Sequence, residues 1–211
     1  MLKPPSVSCM FLLAAVCASS PGFADTKTGI AAYKVGDYTT ALREFRAAGE
    51  NGDIQAQNNL GAMYDKGLGV APDFAEAAKW FRKAAENGSA KAQSNLGIMY
   101  ANGRGVGLNH VEAVKWFRLA ADQGVLLAQF NMGLSYERGH GVERDYGKAA
   151  KWYRIAAEKG HAKAQNNLAL AYENGRGVER DRDQAISWYR KAADQGLTVA
   201  RSNLSRVLSG N

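Results

Sequence analysis

The stretch YANGRGVGLN, residues 100–109, contains residue types that could hold a phosphate group. Gly103, Gly105 and Gly107 alternate along it, and Arg104 supplies a positive charge. Backbone N–H groups of a glycine-rich loop can surround phosphate oxygens, and an arginine can pair with them. The stretch therefore raises two hypotheses: a nucleotide-binding loop, or a turn that needs glycine for its backbone conformation.

Three histidines are the other candidates for chemistry: His110, His140 and His161. No second histidine or cysteine follows any of them three or four residues later, as paired zinc ligands on a helix would. A nucleophile elbow of the form Gly-x-Ser-x-Gly is also absent from the sequence. The sequence therefore predicts no catalytic, cofactor-binding or metal site, and we expect the chain not to be an enzyme.

A period of 36 residues runs through the chain and decides between the two hypotheses for the glycines. It links four tryptophans, four tyrosines, five glycines and five asparagines. The columns are Trp80, Trp116, Trp152 and Trp188; Tyr64, Tyr100, Tyr136 and Tyr172; Gly52, Gly88, Gly124, Gly160 and Gly196; Asn59, Asn95, Asn131, Asn167 and Asn203. Gly103 and Gly105 also recur in every unit, whereas a nucleotide loop follows a strand and occurs once. The glycines are therefore predicted to form a turn.

Each unit is predicted to form two antiparallel helices, at about residues 53–66 and 73–87 of the first unit, from apolar residues at helical spacing. Asp73 is a good N-cap for the second helix, and Glu76 three residues later predicts a capping box. The same predictions apply to the N-caps Asp37, Asn109, Asp145 and Asp181 and to the boxes of Glu112 and Gln184. All four tryptophans are expected in the core.

The N-terminal segment, residues 1–24, is predicted to be a signal peptide cleaved after Ala24. Its apolar run, Met10–Ala18, is shorter than the ~20 residues that span a bilayer, so we expect no stable membrane insertion after cleavage. Both cysteines, Cys9 and Cys17, lie in this segment. The mature chain is therefore expected in the periplasm, or secreted, without a disulfide.

The formal net charge of the chain is +7, and its lysines and arginines are dispersed rather than gathered in a block. This charge allows an acidic partner, but the dispersed pattern is not typical of nucleic-acid binding. We therefore expect no nucleic-acid partner.

The repeat columns resemble the Sel-1-like repeat, a subfamily of the tetratricopeptide-like α/α repeats. In the first unit the resemblance rests on Ala56, Leu60, Gly61, Tyr64, Gly67, Gly69, Val70, Ala77, Trp80, Phe81, Ala84 and Ala85. It implies an all-α, right-handed solenoid with a concave surface and a role as a scaffold. The predicted divisions are an N-terminal capping hairpin at 25–52, four repeats at 53–88, 89–124, 125–160 and 161–196, and a C-terminal capping helix at 197–211.

The resemblance also implies a binding groove along the first helix of each unit. The third unit has Leu127 and Phe130 where its neighbours have lysine, serine or asparagine. The predicted partner-binding residues are an apolar patch of Ile98, Leu127, Phe130, Leu134 and Leu170, rimmed by Lys91, Arg138 and Lys163. Exposed apolar patches of this kind mark protein interfaces. The alternative is that Leu127 and Phe130 pack against a neighbouring helix. The asparagine column is expected to hydrogen-bond the backbone between units.

Three functional hypotheses follow. The first is a non-enzymatic scaffold or adaptor of the bacterial envelope that binds a partner protein or peptide on its concave face, in envelope signalling or secretion. The second is an enzyme or binding protein for β-lactams or peptidoglycan, by analogy with cysteine-rich members of the family, whose paired cysteines the mature chain lacks. The third is a secreted factor that contacts host molecules. The sequence does not identify the partner.

Overall fold

The structure is a computed structural model that describes residues 25–210. The predicted signal peptide lies outside these residues. The described part contains eleven α-helices and no strand. They are α1 (Thr26–Lys34), α2 (Tyr38–Glu50), α3 (Ile54–Lys66), α4 (Phe74–Glu86), α5 (Ala90–Asn102), α6 (His110–Asp122), α7 (Leu126–Arg138), α8 (Tyr146–Glu158), α9 (Ala162–Asn174), α10 (Arg182–Asp194) and α11 (Thr198–Leu208). The all-α prediction is confirmed.

The helices stack in chain order, each one packing mainly against the helices before and after it. Two helices form each unit: α3 with α4, α5 with α6, α7 with α8, and α9 with α10. The hairpin of α1 and α2 precedes them, and α11 follows them. This nearest-neighbour packing is that of an α/α solenoid. Among residues 25–210, no helix is long and apolar enough to cross a membrane.

The helix starts confirm the predicted N-caps but not the full capping boxes. The side chain of Asp73 accepts a hydrogen bond from the backbone N–H of Glu76, at 2.9 Å. Glu76, however, pairs with Lys79 at 3.0 Å, and the N–H of Asp73 donates to the carbonyl of Tyr64. The bond from the Asp73 N–H to the Glu76 side chain, which would complete the box, is therefore replaced by a bond to a backbone carbonyl near the end of α3. This bond satisfies both the N–H and the carbonyl. The same donation to the tyrosine carbonyl occurs from Asn109, Asp145 and Asp181.

Small residues allow the helices to approach closely, and the aromatic residues fill the spaces between them. Ala77 and Ala185 are fully buried, and the other two alanines of their column, Ala113 and Ala149, are 2% exposed. The prediction for the tryptophans holds only for Trp80, which is buried. The other three, Trp116, Trp152 and Trp188, are half-buried and pack against the edge of the core. Their rings therefore also form part of the surface.

The glycine-rich stretch is a turn between α5 and α6. Gly103 ends α5 in the left-handed conformation, with φ of 64°. Gly105, with φ of 70°, lies so close to the preceding unit that a Cβ there would be 2.0 Å from the carbonyl oxygen of Phe74. The N–H of Arg104 donates to the carbonyl of Met99. Gly103 and Gly105 therefore serve the turn and the close contact with the neighbouring unit.

Candidate functional site

Hydrogen bonds between consecutive units hold the first helices in place. Arg118 on α6 donates to the hydroxyl of Tyr136 on α7 at 2.9 Å, and Gln129 on α7 donates its side-chain amide to the carbonyl of Ala121 at 3.1 Å. The equivalent arginines and tyrosines are paired in the same way at Arg46 with Tyr64, Arg82 with Tyr100 and Arg154 with Tyr172. The equivalent glutamines, Gln57, Gln93 and Gln165, donate to Gly49, Ala85 and Ala157.

The prediction for the asparagine column is therefore wrong, because the glutamine two residues earlier on the same helix makes the bond to the backbone. Within residues 25–210 two members of the asparagine column, Asn167 and Asn203, bond to side chains instead. Asn203 donates to the side-chain oxygen of Asn166 at 3.1 Å, and Asn166 donates to that of Asn167 at 3.2 Å. The glutamine column keeps the same period of 36 residues, so its recurrence was visible in the sequence although its role was not.

A groove crosses the first helices α5, α7 and α9, and we call it the central groove. Six of the eight predicted partner-binding residues line it: Ile98, Leu127, Phe130, Leu134, Arg138 and Lys163. Its volume is ≈ 420 Å³, within the size range of sites that hold side chains or small ligands. The register of the first helices therefore places most of the predicted patch on one surface.

Phe130 differs from the expectation of an exposed side chain, since only 9% of it is exposed. Its ring lies between Tyr153, with centroids 5.9 Å apart, and His161, with centroids 4.7 Å apart. Phe130 thus packs against the neighbouring helices, as the alternative for this residue held, and its edge forms the floor of the central groove. Leu127 is 42% exposed and remains available at the surface, and Leu134 is half-buried.

The other two predicted residues lie outside the central groove. Leu170 is half-buried and lines a separate cavity of ≈ 70 Å³ beside Tyr153. Lys91 is exposed and lines a hollow near the starts of α3 and α5, with Gln55 and Asn59. Neither residue lines the same cavity as Leu127.

Two histidines that the sequence analysis had not placed in the site also line the central groove. The rings of His110 and His140 are stacked, with centroids 4.5 Å apart and planes 14° from parallel. His110 is the first residue of α6, and His140 lies in the turn after α7. The period of 36 residues could have indicated this contact, because the residues at the equivalent positions also contact each other in the neighbouring units.

The charged side chains that line the central groove are all positive. Arg138 and Lys163 line it, and both are exposed, whereas no aspartate or glutamate is among its lining residues. Glu137, next to Arg138 in sequence, accepts a hydrogen bond from the hydroxyl of Tyr153 at 2.5 Å. Burial and this bond raise the pKa of Tyr153 well above its usual range. The groove therefore presents positive charge beside apolar side chains.

His161 borders the central groove through its contact with Phe130. It is the N-cap of α9, and its Nδ1 accepts a hydrogen bond from the N–H of Ala164 at 3.2 Å. Burial and the nearby charge of Lys163 lower the pKa of His161. Within the described residues, no three histidine, cysteine, aspartate or glutamate side chains are grouped as a metal site would need.

Solved structures of similar chains were found. One is a protective antigen present in uropathogenic Escherichia coli strains and displaying an SLR fold, with 43% identity and a TM-score of 0.81, over 85% of this chain and 39% of the antigen. Another is a Sel1 repeat protein from Oxalobacter formigenes, with 38% identity and a TM-score of 0.80, over 86% of this chain and 74% of that one. A sel1 repeat protein from Klebsiella pneumoniae shares the fold at 21% identity and a TM-score of 0.55, over 86% of this chain and 90% of that one. The chain thus spans less than half of the antigen.

No curated protein matches the chain. The pattern of the Sel1 repeat matches four consecutive segments, residues 54–89, 90–125, 126–161 and 162–197. Each segment starts one residue after the corresponding predicted unit, and together they hold the helices α3 to α10. The chain therefore belongs to the Sel1 repeat family.

Proposed function

We propose that this protein is a non-enzymatic scaffold that binds a segment of another protein in the central groove. Sel1 repeat proteins generally act as scaffolds for protein interactions, so the family supports binding but identifies no partner. The observation that carries the proposal is the combination of an exposed apolar residue, Leu127, with the half-buried Ile98 and Leu134 and two cations on one surface. An amphipathic helix or extended peptide could bury its apolar side chains there.

The proposal includes export to the bacterial envelope, with the mature chain in the periplasm. It rests on the sequence of residues 1–24, which combines an apolar run with small residues before Ala24. Cell fractionation and N-terminal sequencing of the protein from its native cells test it. A mature chain that begins at Asp25 in the periplasmic fraction supports export. A cytoplasmic chain that still begins at Met1 contradicts it.

Cross-linking in the native cells tests binding. The groove variant is Leu127→Asp combined with Leu134→Asp, which places charge in the apolar patch. Phe130→Asp is unsuitable, because Phe130 is buried and a charge there would destabilise the fold. The control variant is Leu119→Asp, at a side chain of α6 that is 48% exposed and does not line the groove.

We expect a partner that is captured by the wild type and by Leu119→Asp and that is lost with the groove variant. Circular dichroism and thermal unfolding establish first that both variants are folded. Capture of the same proteins by all three chains would contradict binding in the central groove, and would direct the search to the turns and to α11.

The similarity to a protective antigen favours a second candidate, a surface or secreted factor that contacts host molecules. This candidate uses the same groove but differs in where the protein is found. Protein in the culture medium or accessible to antibody on intact cells would support it. Protein found solely inside the outer boundary of the cell would contradict it.

A further inference from the structure

The stacked histidines join two consecutive units at the edge of the central groove. His140 lies in the turn of the third unit, and His110 begins the second helix of the second unit. Their rings are 4.5 Å apart and nearly parallel. His140 is exposed and His110 is half-buried, so the outer ring of the stack faces solvent and any bound partner.

The neighbouring units hold an arginine on an aromatic ring at the same joint. One unit earlier, the guanidinium of Arg104 lies 4.0 Å from the ring centroid of Phe74. One unit later, Arg176 lies 5.9 Å from the ring centroid of Tyr146. His140 therefore occupies a position at which both adjacent units have an arginine, whereas the first unit has Leu68.

The fold provides no carboxylate for a charge on His140, although it provides one for the equivalent arginine. Arg104 pairs with Asp65 at 3.2 Å. The residue that occupies the position of Asp65 in the next unit is Ala101, which lines the central groove. The residues that line the groove around His140 thus include no acidic side chain.

The charged and titratable groups that face His140 across the groove are all basic. They are His110 at the start of α6, Arg138 at the end of α7 and Lys163 on α9, while α5 contributes the uncharged Asn102.

We infer that the central groove binds a peptide segment that combines apolar side chains with carboxylates. The inference rests on the proposed function and specifies its partner. The apolar side chains of the segment contact Leu127 and Leu134, and its carboxylates lie near Arg138, Lys163 and His140. Charge complementarity of this kind fixes register and speeds association.

Three synthetic peptide pools provide the test with the full mature chain. Each pool has leucine or phenylalanine at positions i, i+3, i+4 and i+7, as an amphipathic helix requires, with glutamate, glutamine or lysine at the remaining positions. Fluorescence anisotropy gives the dissociation constant of each pool at pH 7.5, at low and at high salt. We expect the glutamate pool to bind about tenfold more tightly than the glutamine pool, with a preference that salt reduces.

Two variants change the positive charge of the groove in opposite directions. In His110→Phe combined with His140→Arg, the joint has the residue types of the preceding unit, Phe74 and Arg104, which already pack there. This variant adds a cation and should bind the glutamate pool more tightly than the wild type. In Arg138→Gln combined with Lys163→Gln, the preference for glutamate over glutamine peptides should fall about tenfold.

Peptide helicity is measured by circular dichroism for each pool. Equal binding of the glutamate and glutamine pools would overturn the inference but leave the proposed function intact, provided that Leu127→Asp abolishes binding. An unchanged preference for glutamate in the Arg138→Gln, Lys163→Gln variant would overturn the inference that these side chains bind the carboxylates. Failure of all three pools to bind would overturn the inference, and the cross-linking experiment would then decide the proposed function separately.

Discussion

Gln129 on α7 donates its side-chain amide to the main-chain carbonyl of Ala121 near the end of α6, at 3.1 Å. Both residues are buried, with Gln129 3% exposed. The bond connects the second unit to the third, and the same bond recurs at each of the other joints between these units. Because a solenoid unit contacts only its neighbours, such bonds contribute directly to the coupling between units.

Replacing Gln129 with methionine should lower the free energy of unfolding by about 1 kcal/mol, because the variant keeps a side chain of similar length but loses the buried hydrogen bond. The carbonyl of Ala121 also accepts from the N–H of Gly124 and therefore keeps one hydrogen bond in the variant. The expected loss in the free energy of unfolding is for this reason at the lower end of the range for a buried polar group that loses a partner. Urea denaturation measures the change. Gln55→Met, at an exposed position of α3, is the control and should change stability little. Equal effects of the two substitutions would contradict a coupling role for the bond.

The glutamine column shows what could be predicted from the sequence and what could not. The period of 36 residues, the helix pairs and the N-caps were predictable, because each depends on residues close in sequence. Which amide of the first helix faces the preceding unit was not, because two residues along a helix change the direction of the side chain by about 200°. The period alone identifies both Gln57 and Asn59 as repeated, and only the packing of the units distinguishes them.

The central groove could be predicted only in part, again because some of its contacts depend on how the units pack. Leu127 and Leu134 are seven residues apart on one helix, so helical spacing alone placed them on one face. The burial of Phe130 depends on His161, which comes from the next unit, and so the sequence of α7 could not reveal it. The contact of His140 with His110 depends on how a turn packs against the preceding unit.

Tyr153 should make stability depend on alkaline pH. Its pKa is raised in the folded state by burial and by the hydrogen bond to Glu137, whereas an unfolded tyrosine loses its proton near about pH 10. The stabilisation is thus fully present below about pH 10 and is lost as the pH rises above this value. Tyr153→Phe places the residue type of Phe81 and Phe117 in the third unit, so the ring still fits.

We expect Tyr153→Phe to lower stability at pH 7 by about 1–2 kcal/mol, because it removes the bond to a carboxylate. We also expect its stability to decline less steeply than that of the wild type above about pH 10. Denaturation curves between pH 7 and pH 11 measure both effects. Parallel pH profiles for the two proteins would show that Tyr153 does not resist ionisation in the folded state.

Gly133 on α7 should not tolerate alanine, although alanine favours helices. A Cβ at Gly133 would lie 2.4 Å from the ring of Tyr153, which Glu137 and Phe130 hold in place. Gly133→Ala should therefore destabilise the protein by about 1–3 kcal/mol. The fourth unit has Ala169 at the equivalent position, fully buried, and Ala169→Gly should cost about 1 kcal/mol through helix propensity. Thermal unfolding measures the change in stability of both variants. An increase in stability for Gly133→Ala would show that the ring of Tyr153 can move aside for the added methyl group.

Val125 offers a position where stability can be gained. It is the N-cap of α7 and makes no side-chain capping bond, whereas Asp53 caps α3 and Ser89 caps α5. Val125→Thr keeps the shape of the side chain and adds a hydroxyl that can accept from the N–H of Ala128. We expect a gain of about 0.5–1 kcal/mol in the free energy of unfolding, and a loss for Val125→Ala, which supplies neither the cap nor the packing. Urea denaturation checks both, and no gain for threonine would mean that desolvation of the hydroxyl offsets the cap.

His161 should make stability depend on acidic pH, because its neutral Nδ1 caps α9 and its ring stacks on Phe130. Burial and the charge of Lys163 lower its pKa in the folded state, so the unfolded chain takes up the proton first as the pH falls. The stabilisation is therefore present above about pH 6.5, the ordinary value for histidine, and decreases as the pH falls toward the folded pKa.

The matched variant for this prediction is His161→Ser, because Ser89 already caps α5 at the equivalent position. It replaces the capping Nδ1 with a hydroxyl oxygen and removes the titrating group, so its stability should decrease less than that of the wild type between about pH 7 and pH 5. His110 and His140 are present in both proteins and cancel in the comparison. If the two proteins lose stability equally over this range, protonation of His161 does not oppose folding. The packing of Phe130 in the floor of the groove would then not depend on the protonation state of His161.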